Sequence, residues 1–113
     1  MQQQSIIVNL GGSDIQIPKD CISDFDFTLK EQMKQGLQGS IYKINLHDPH
    51  NTEEDYVLKI MLLEDQSKID DFKSEINHQI LFNCMGVGPK YIDHRIFNIP
   101  NIPETIGISI WIF

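Results

Sequence analysis

A lysine stands in the middle of an apolar run, Tyr56-Val57-Leu58-Lys59-Ile60-Met61-Leu62-Leu63. Both faces of a strand built from these residues look buried. An ammonium group taken out of water costs on the order of several kcal/mol unless it is paired. The chain must then hold an acid that reaches Lys59, and Glu75 is the candidate. It lies in a segment where Ile69, Phe72, Ile76 and Ile80 recur at helical spacing. With Phe72 at zero on a wheel of about 100° per residue, Ile76 and Ile80 fall at about +40° and +80°, and Glu75 at about −60°, on the flank of the buried stripe. The strand from Lys59 to Leu63 rises roughly 13 Å, and the helix from Ser67 to Glu75 roughly 12 Å. A helix folded back antiparallel to the strand therefore returns Glu75 level with Lys59. The competing reading is a lysine snorkelling from an edge strand, with Glu75 a plain surface acid. Upstream, Lys34-Gln35-Gly36-Leu37-Gln38-Gly39-Ser40-Ile41 places two glycines between two strands. Glycines there let the backbone approach a ligand and turn its amides toward phosphate oxygens, although a lone Gly-x-x-Gly is usually only a tight turn. The chemistry these residues offer is the holding of an anion.

The elements that must position them follow from periodicity. Ser5–Leu10 and Ile15–Pro18 read as two strands around the Gly11-Gly12 turn. An acidic connector, Lys19–Asp26, comes next. Phe27–Gln35, Ser40–Leu46 and Tyr56–Leu63 read as strands, the last the strongest because it is β-branched, aromatic and bounded by charge. Asp65 or Ser67 caps the single helix, with Ser67 to Asp70 a loose capping box, and Gly86 and Gly88-Pro89 stop it. Two strands follow, Lys90–Ile99 and Ile106–Phe113, joined by a Pro-containing turn. The expected class is α+β: a five-stranded, mostly antiparallel sheet with one main helix and an N-terminal β-hairpin.

Composition bounds the function. The 113 residues make one domain with a modest core; 41% hydrophobic and 22% charged residues are ordinary for a globular protein. A formal net charge of −7 argues against a general binder of nucleic acid or anionic membrane. Any anionic ligand must be held by local cations and amides. Cys21 and Cys84 are far apart in sequence and read as free thiols in a reducing compartment. Neither a signal peptide nor a membrane span is legible, so a cytoplasmic location is expected. His47-Asp48-Pro49-His50 reads as a solvated turn, His78 as a helix-surface side chain, and no metal site is expected.

The ordered set of strand, glycine turn, strand, strand with lysine and helix with glutamate resembles the N-terminal, ATP-binding lobe of a eukaryotic-type protein kinase. The family's Gly-x-Gly-x-x-Gly-x-Val falls on Lys34 to Ile41, with Gly36 and Gly39 at its second and third glycines and Ile41 at the valine that covers adenine. Val-Ala-Ile-Lys falls on Tyr56-Val57-Leu58-Lys59, and Phe72-Lys73-Ser74-Glu75 resembles the family's third helix. Gly88-Pro89-Lys90-Tyr91-Ile92 is similar to the start of its fourth strand. The resemblance covers residues 27–113; residues 1–26 form an N-terminal extension outside it.

What the resemblance implies is ATP with Mg2+ held by Met33, Lys34, Gly36, Leu37, Gln38, Gly39, Ile41 and Lys59. Glu75 would be the ion-pair partner of the phosphate lysine, and Phe113 would sit at the gatekeeper position before the hinge. The implied activity is phosphoryl transfer to a protein hydroxyl, serine or threonine favoured. Lys34 departs from the family, which has its first glycine there. No His-Arg-Asp-x-x-x-x-Asn, Asp-Phe-Gly or Ala-Pro-Glu follows, so the base and metal ligands lie outside these residues. Asp93-His94-Arg95 has the wrong order, and Asp71-Phe72-Lys73 lies inside the helix. Two alternatives stay open: a pseudokinase-like binding module without catalysis, and a kinase-fold phosphotransferase acting on a small molecule. Expected partners are ATP, a protein substrate if the chain is active, and a C-terminal lobe or other protein over the apolar surface that Ser109–Phe113 would expose. Left uncovered, that surface would make the isolated chain marginally stable or self-associating.

Overall fold

The computed structural model describes residues 5–35, 39–47, 55–86 and 88–112. The chain runs β1 (Ser5–Leu10), β2 (Ser13–Pro18), a 3-10 turn (Lys19–Cys21), β3 (Phe27–Gln35), β4 (Gly39–Leu46), β5 (Tyr56–Leu63), α1 (Gln66–Cys84), β6 (Lys90–Phe97) and β7 (Thr105–Ile112). The α+β class, the five-stranded sheet, the single helix and the N-terminal hairpin are as the sequence indicates. The sheet order is β3-β4-β5-β7-β6, and every pairing in it is antiparallel. Residues 11 and 12, both glycine, turn the β1–β2 hairpin with φ of 61° and 84°, the left-handed pair that a two-residue turn matching strand twist requires.

The hairpin lies on one face of the sheet and α1 on the other. Most of the core is on the hairpin side. Val8, Leu10 and Ile17 pack there with Leu58, Ile60 and Ile108, all at most 1% exposed. Two side chains of β4 also grip the hairpin. The Asn9 amide donates to the Tyr42 hydroxyl at 2.9 Å, and the Ser40 hydroxyl donates to the Asn9 carbonyl. The helix side is thinner: Leu63, Phe72, Ile76 and Trp111 form its buried centre. Gly107 permits that contact, because a Cβ on it would lie 2.9 Å from Leu63 Cδ1 and 3.2 Å from the Phe72 ring.

Asp65, not Ser67, caps α1. Its carboxylate accepts from the Lys68 amide at 2.9 Å, and Ser67 lies inside the first turn. The helix ends at Cys84, and Gly86 follows with φ 77°. Asn83 ties that end to β6: its amide group donates to the Pro89 carbonyl, and its carbonyl oxygen accepts from the Tyr91 amide.

Two sequence expectations are corrected. Ser109–Trp111 does not present an apolar surface, because Ile110 is 2% exposed against the hairpin side and Trp111 is 9% exposed toward the helix side. Exposed apolar side chains gather instead near the end of α1, at Leu81, Phe82 and Met85. The buried lysine is not Lys59 but Lys19 of the connector. The Lys19 side chain is 8% exposed, its ammonium is 2.9 Å from Asp26 Oδ1, and it stands 5.4 Å from the Phe27 ring centroid. That hydrogen bond and charge hold the Asp26 carboxyl below its ordinary range. Arg95 of β6 reaches back to the same connector, donating to the Asp20 carbonyl at 3.0 Å and pairing with Asp24 at 3.1 Å. Cys21 and Cys84 are free thiols. Among the described residues no helix is long and apolar enough to cross a membrane.

Candidate functional site

The alternation of β5 divides its residues between two faces. Tyr56, Leu58 and Ile60 enter the hairpin-side core. Val57 and Lys59 face the side that carries α1, where a cleft of about 440 Å3 opens. Its walls are Met33 and Lys34 of β3, Ile41 of β4, Val57 and Lys59 of β5, Glu75 and Gln79 of α1, Pro89 and Trp111. A smaller cavity of about 220 Å3 is lined by Lys34, Gly39, Ser40, Ile41, Lys59 and Met61, so Lys34, Ile41 and Lys59 line both. The larger of the two is in the range of small-ligand pockets, roughly 300–1,000 Å3.

Lys59 and Glu75 meet, as the spacing argument requires: Nζ lies 3.2 Å from Oε1. The premise of burial does not hold. The two side chains are 33% and 60% exposed, because Lys59 projects into the open cleft rather than into a core. The pair is thus reachable by a ligand, and its net worth to folding is that of an exposed ion pair, about 0–1 kcal/mol.

Sheet register sets the rest. Lys34 opposes Ile41, Ile41 opposes Lys59, and Lys59 opposes Ser109, giving one row across four strands. Next to it Lys43, Val57, Trp111 and Tyr91 form a second row. Ile41, Val57 and Trp111 make the apolar part of the cleft lining. Trp111 is held firmly: its Nε1 donates to Ser109 Oγ at 2.8 Å, and the Tyr91 ring meets it edge-on at 5.5 Å. The Tyr91 hydroxyl in turn contacts His94 Nδ1 at 2.6 Å. Burial, with Asp93 nearby, raises the Tyr91 phenol above its ordinary value.

Of the residues expected to bind, Met33, Lys34, Ile41 and Lys59 line this one cleft together with Glu75, and Gly39 lines the adjoining cavity. Gly36, Leu37, Gln38 and Phe113 lie outside the described residues. Gly39 has a packing reason to be glycine: a Cβ there would stand 2.7 Å from the Ile60 carbonyl oxygen. Sequence reasoning did not name Val57, Gln79, Pro89 or Trp111 as site residues. Val57 was discoverable, since it shares the parity of Lys59 on β5. Trp111 was not, because its place depends on which strand lies beside β5. His78 is exposed on α1, as expected. Among the described residues no cluster of His, Cys, Asp or Glu could hold a metal ion. No protein-family model matches the chain, and no curated protein matches it.

Proposed function

We propose that the cleft binds the nucleotide ATP, as Mg-ATP, in the manner of the ATP-binding lobe of a serine/threonine-type protein kinase. The observation that carries this is the Lys59–Glu75 pair at 3.2 Å, set beside the apolar walls Ile41, Val57 and Trp111 in one cleft. The adenine ring would lie against these apolar side chains, which share one face of the sheet. Lys59 would donate to phosphate oxygens, and Glu75 would hold its ammonium in place. The magnesium would arrive on the nucleotide's own phosphates.

Titration of the full chain with Mg-ATP, read by Trp111 fluorescence and by thermal shift, tests this. The chain has a single tryptophan, so the optical signal reports the cleft wall. Saturable binding that Lys59→Ala weakens about tenfold or more is the expected result. No response at millimolar Mg-ATP refutes the proposal.

A second reading rests on Lys34, which stands where the family has its first glycine. In that reading the lobe is a binding module that holds nucleotide or a protein partner without phosphoryl transfer. Nucleotide binding without transfer of the γ-phosphate to a protein hydroxyl favours it; transfer to a protein excludes it.

A further inference from the structure

Lys59 alone leaves the cleft close to neutral, because Glu75 stands 3.2 Å from its ammonium. The chain as a whole carries a formal charge of −7. A polyphosphate entering here needs a further cation. Lys34 is placed to supply it, and an irregularity in β3 is what places it. The β3–β4 pairing shifts between Gln32 and Lys34: Gln32 opposes Tyr42, Lys34 opposes Ile41, and Met33 is the extra residue between them. In an unbroken ladder Lys34 would oppose Ser40, whose hydroxyl bonds to the hairpin on the other face. The bulge re-aims Lys34 to the cleft.

Lys34, Ile41 and Lys59 then form one row, and two strand spacings put the lysine backbones about 10 Å apart. Both side chains line both cavities. Lys19, Lys43, Lys59 and Arg95 each have a carboxylate within 4.0 Å, whereas none pairs with Lys34 among the described residues. We propose that Lys34 and Lys59 form a two-cation cradle for a polyphosphate chain, and that Lys34 makes the site prefer nucleoside triphosphate over monophosphate. A triphosphate offers each cation a phosphate of its own, whereas a monophosphate offers the two one shared group. The proposal builds on the nucleotide-binding reading and adds to it a cation where the kinase family has glycine.

The test is calorimetric titration of the full chain with Mg2+ complexes of ATP, ADP, AMP and inorganic tripolyphosphate. The wild type is expected to bind ATP at least about tenfold tighter than AMP. Lys34→Gln should weaken ATP and tripolyphosphate about tenfold and AMP less than about twofold, and Lys34→Arg should restore most of the loss. Lys30→Gln, at an exposed cation on the same strand, is the control and should leave all affinities within about twofold. If the wild type binds ATP and Lys34→Gln does not weaken it, or Lys30→Gln weakens it equally, the cradle is wrong while the nucleotide reading stands. If tripolyphosphate binds in a Lys34-dependent way and ATP binds no tighter than tripolyphosphate, the cradle stands and the nucleotide reading fails. If neither binds, both fail.

Discussion

Glu75→Gln should barely change the stability of the fold while weakening nucleotide binding. At 3.2 Å the Coulomb attraction between Lys59 and Glu75 is about 1.3 kcal/mol in a water-like dielectric. Exposures of 33% and 60% place the pair in that regime rather than in a dry interior. Ordering two long side chains costs up to about 1.5–2 kcal/mol each when they are fully fixed. The net is about 0–1 kcal/mol, so the melting temperature should fall by less than about 8 °C. A double-mutant cycle of Lys59→Met and Glu75→Gln, followed by urea unfolding, isolates the pair energy. A coupling of about 3 kcal/mol or more would show that the ammonium sits in a low-dielectric interior, and the open-cleft description would be wrong. In parallel, Mg-ATP affinity should drop about tenfold, because an unheld lysine must be ordered by the nucleotide itself. Unchanged affinity would remove Glu75 from the site.

Gly39→Ala should destabilise by about 1–3 kcal/mol in urea unfolding, since the new methyl would meet the Ile60 carbonyl oxygen at 2.7 Å. Leu10→Ala, at a position 1% exposed in the hairpin-side core, should cost about 2–5 kcal/mol. Leu81→Ala, at 59% exposure, should stay within about 0.5 kcal/mol. Asp26 has a folded pKa below its ordinary value of 3.8 because Lys19 hydrogen-bonds and attracts it. Its contribution is therefore present above pH 3.8 and lost as pH falls through the lower folded value. Asp26→Asn should flatten that part of the acid-unfolding curve followed by Trp111 fluorescence; an unaltered curve would refute the pairing.

The elements were legible because their causes are local. A run of β-branched, aromatic and other apolar residues bounded by charge marks β5, and the Ile69–Phe72–Ile76–Ile80 stripe marks α1. The Lys59–Glu75 pairing was legible too, because it needs only one strand, one turn and one helix. What failed needed knowledge of distant partners. An apolar run implies burial on both faces at Lys59, yet one face of β5 at that level borders a cleft. Conversely, Lys19–Asp26 reads only as an acidic connector. Its Lys19 is buried because Asp26 and Phe27 fold over it, and no periodicity signals burial in irregular backbone. Ser109–Trp111 reads as an uncovered face because its cover is distant in sequence: the hairpin, residues 5–18, lies over Ile110, and Phe72 and Ile76 of α1 lie on the side of Trp111. The bulge at Met33 is a property of two strands in register, so β3 alone could not announce it.

The cleft itself follows from a mismatch of widths. A five-stranded sheet is about 19 Å across at a strand spacing of about 4.8 Å, whereas a helix with its side chains is about 10 Å wide. α1 packs against β5, β6 and β7, so it covers one side of its face of the sheet and leaves the β3–β4 side open. On the opposite face the hairpin reaches β3, β4 and β5, which keeps β3 and β4 in the core although α1 does not lie over them. The fold therefore makes a recess whatever its use. What the fold does not demand is two lysines facing that recess, one re-aimed there by a bulge and the other held by a glutamate across its rim. Exposed cations elsewhere on the sheet would satisfy solubility equally well. It is the placement of these charges, rather than the existence of the cavity, that carries the case for an anionic ligand.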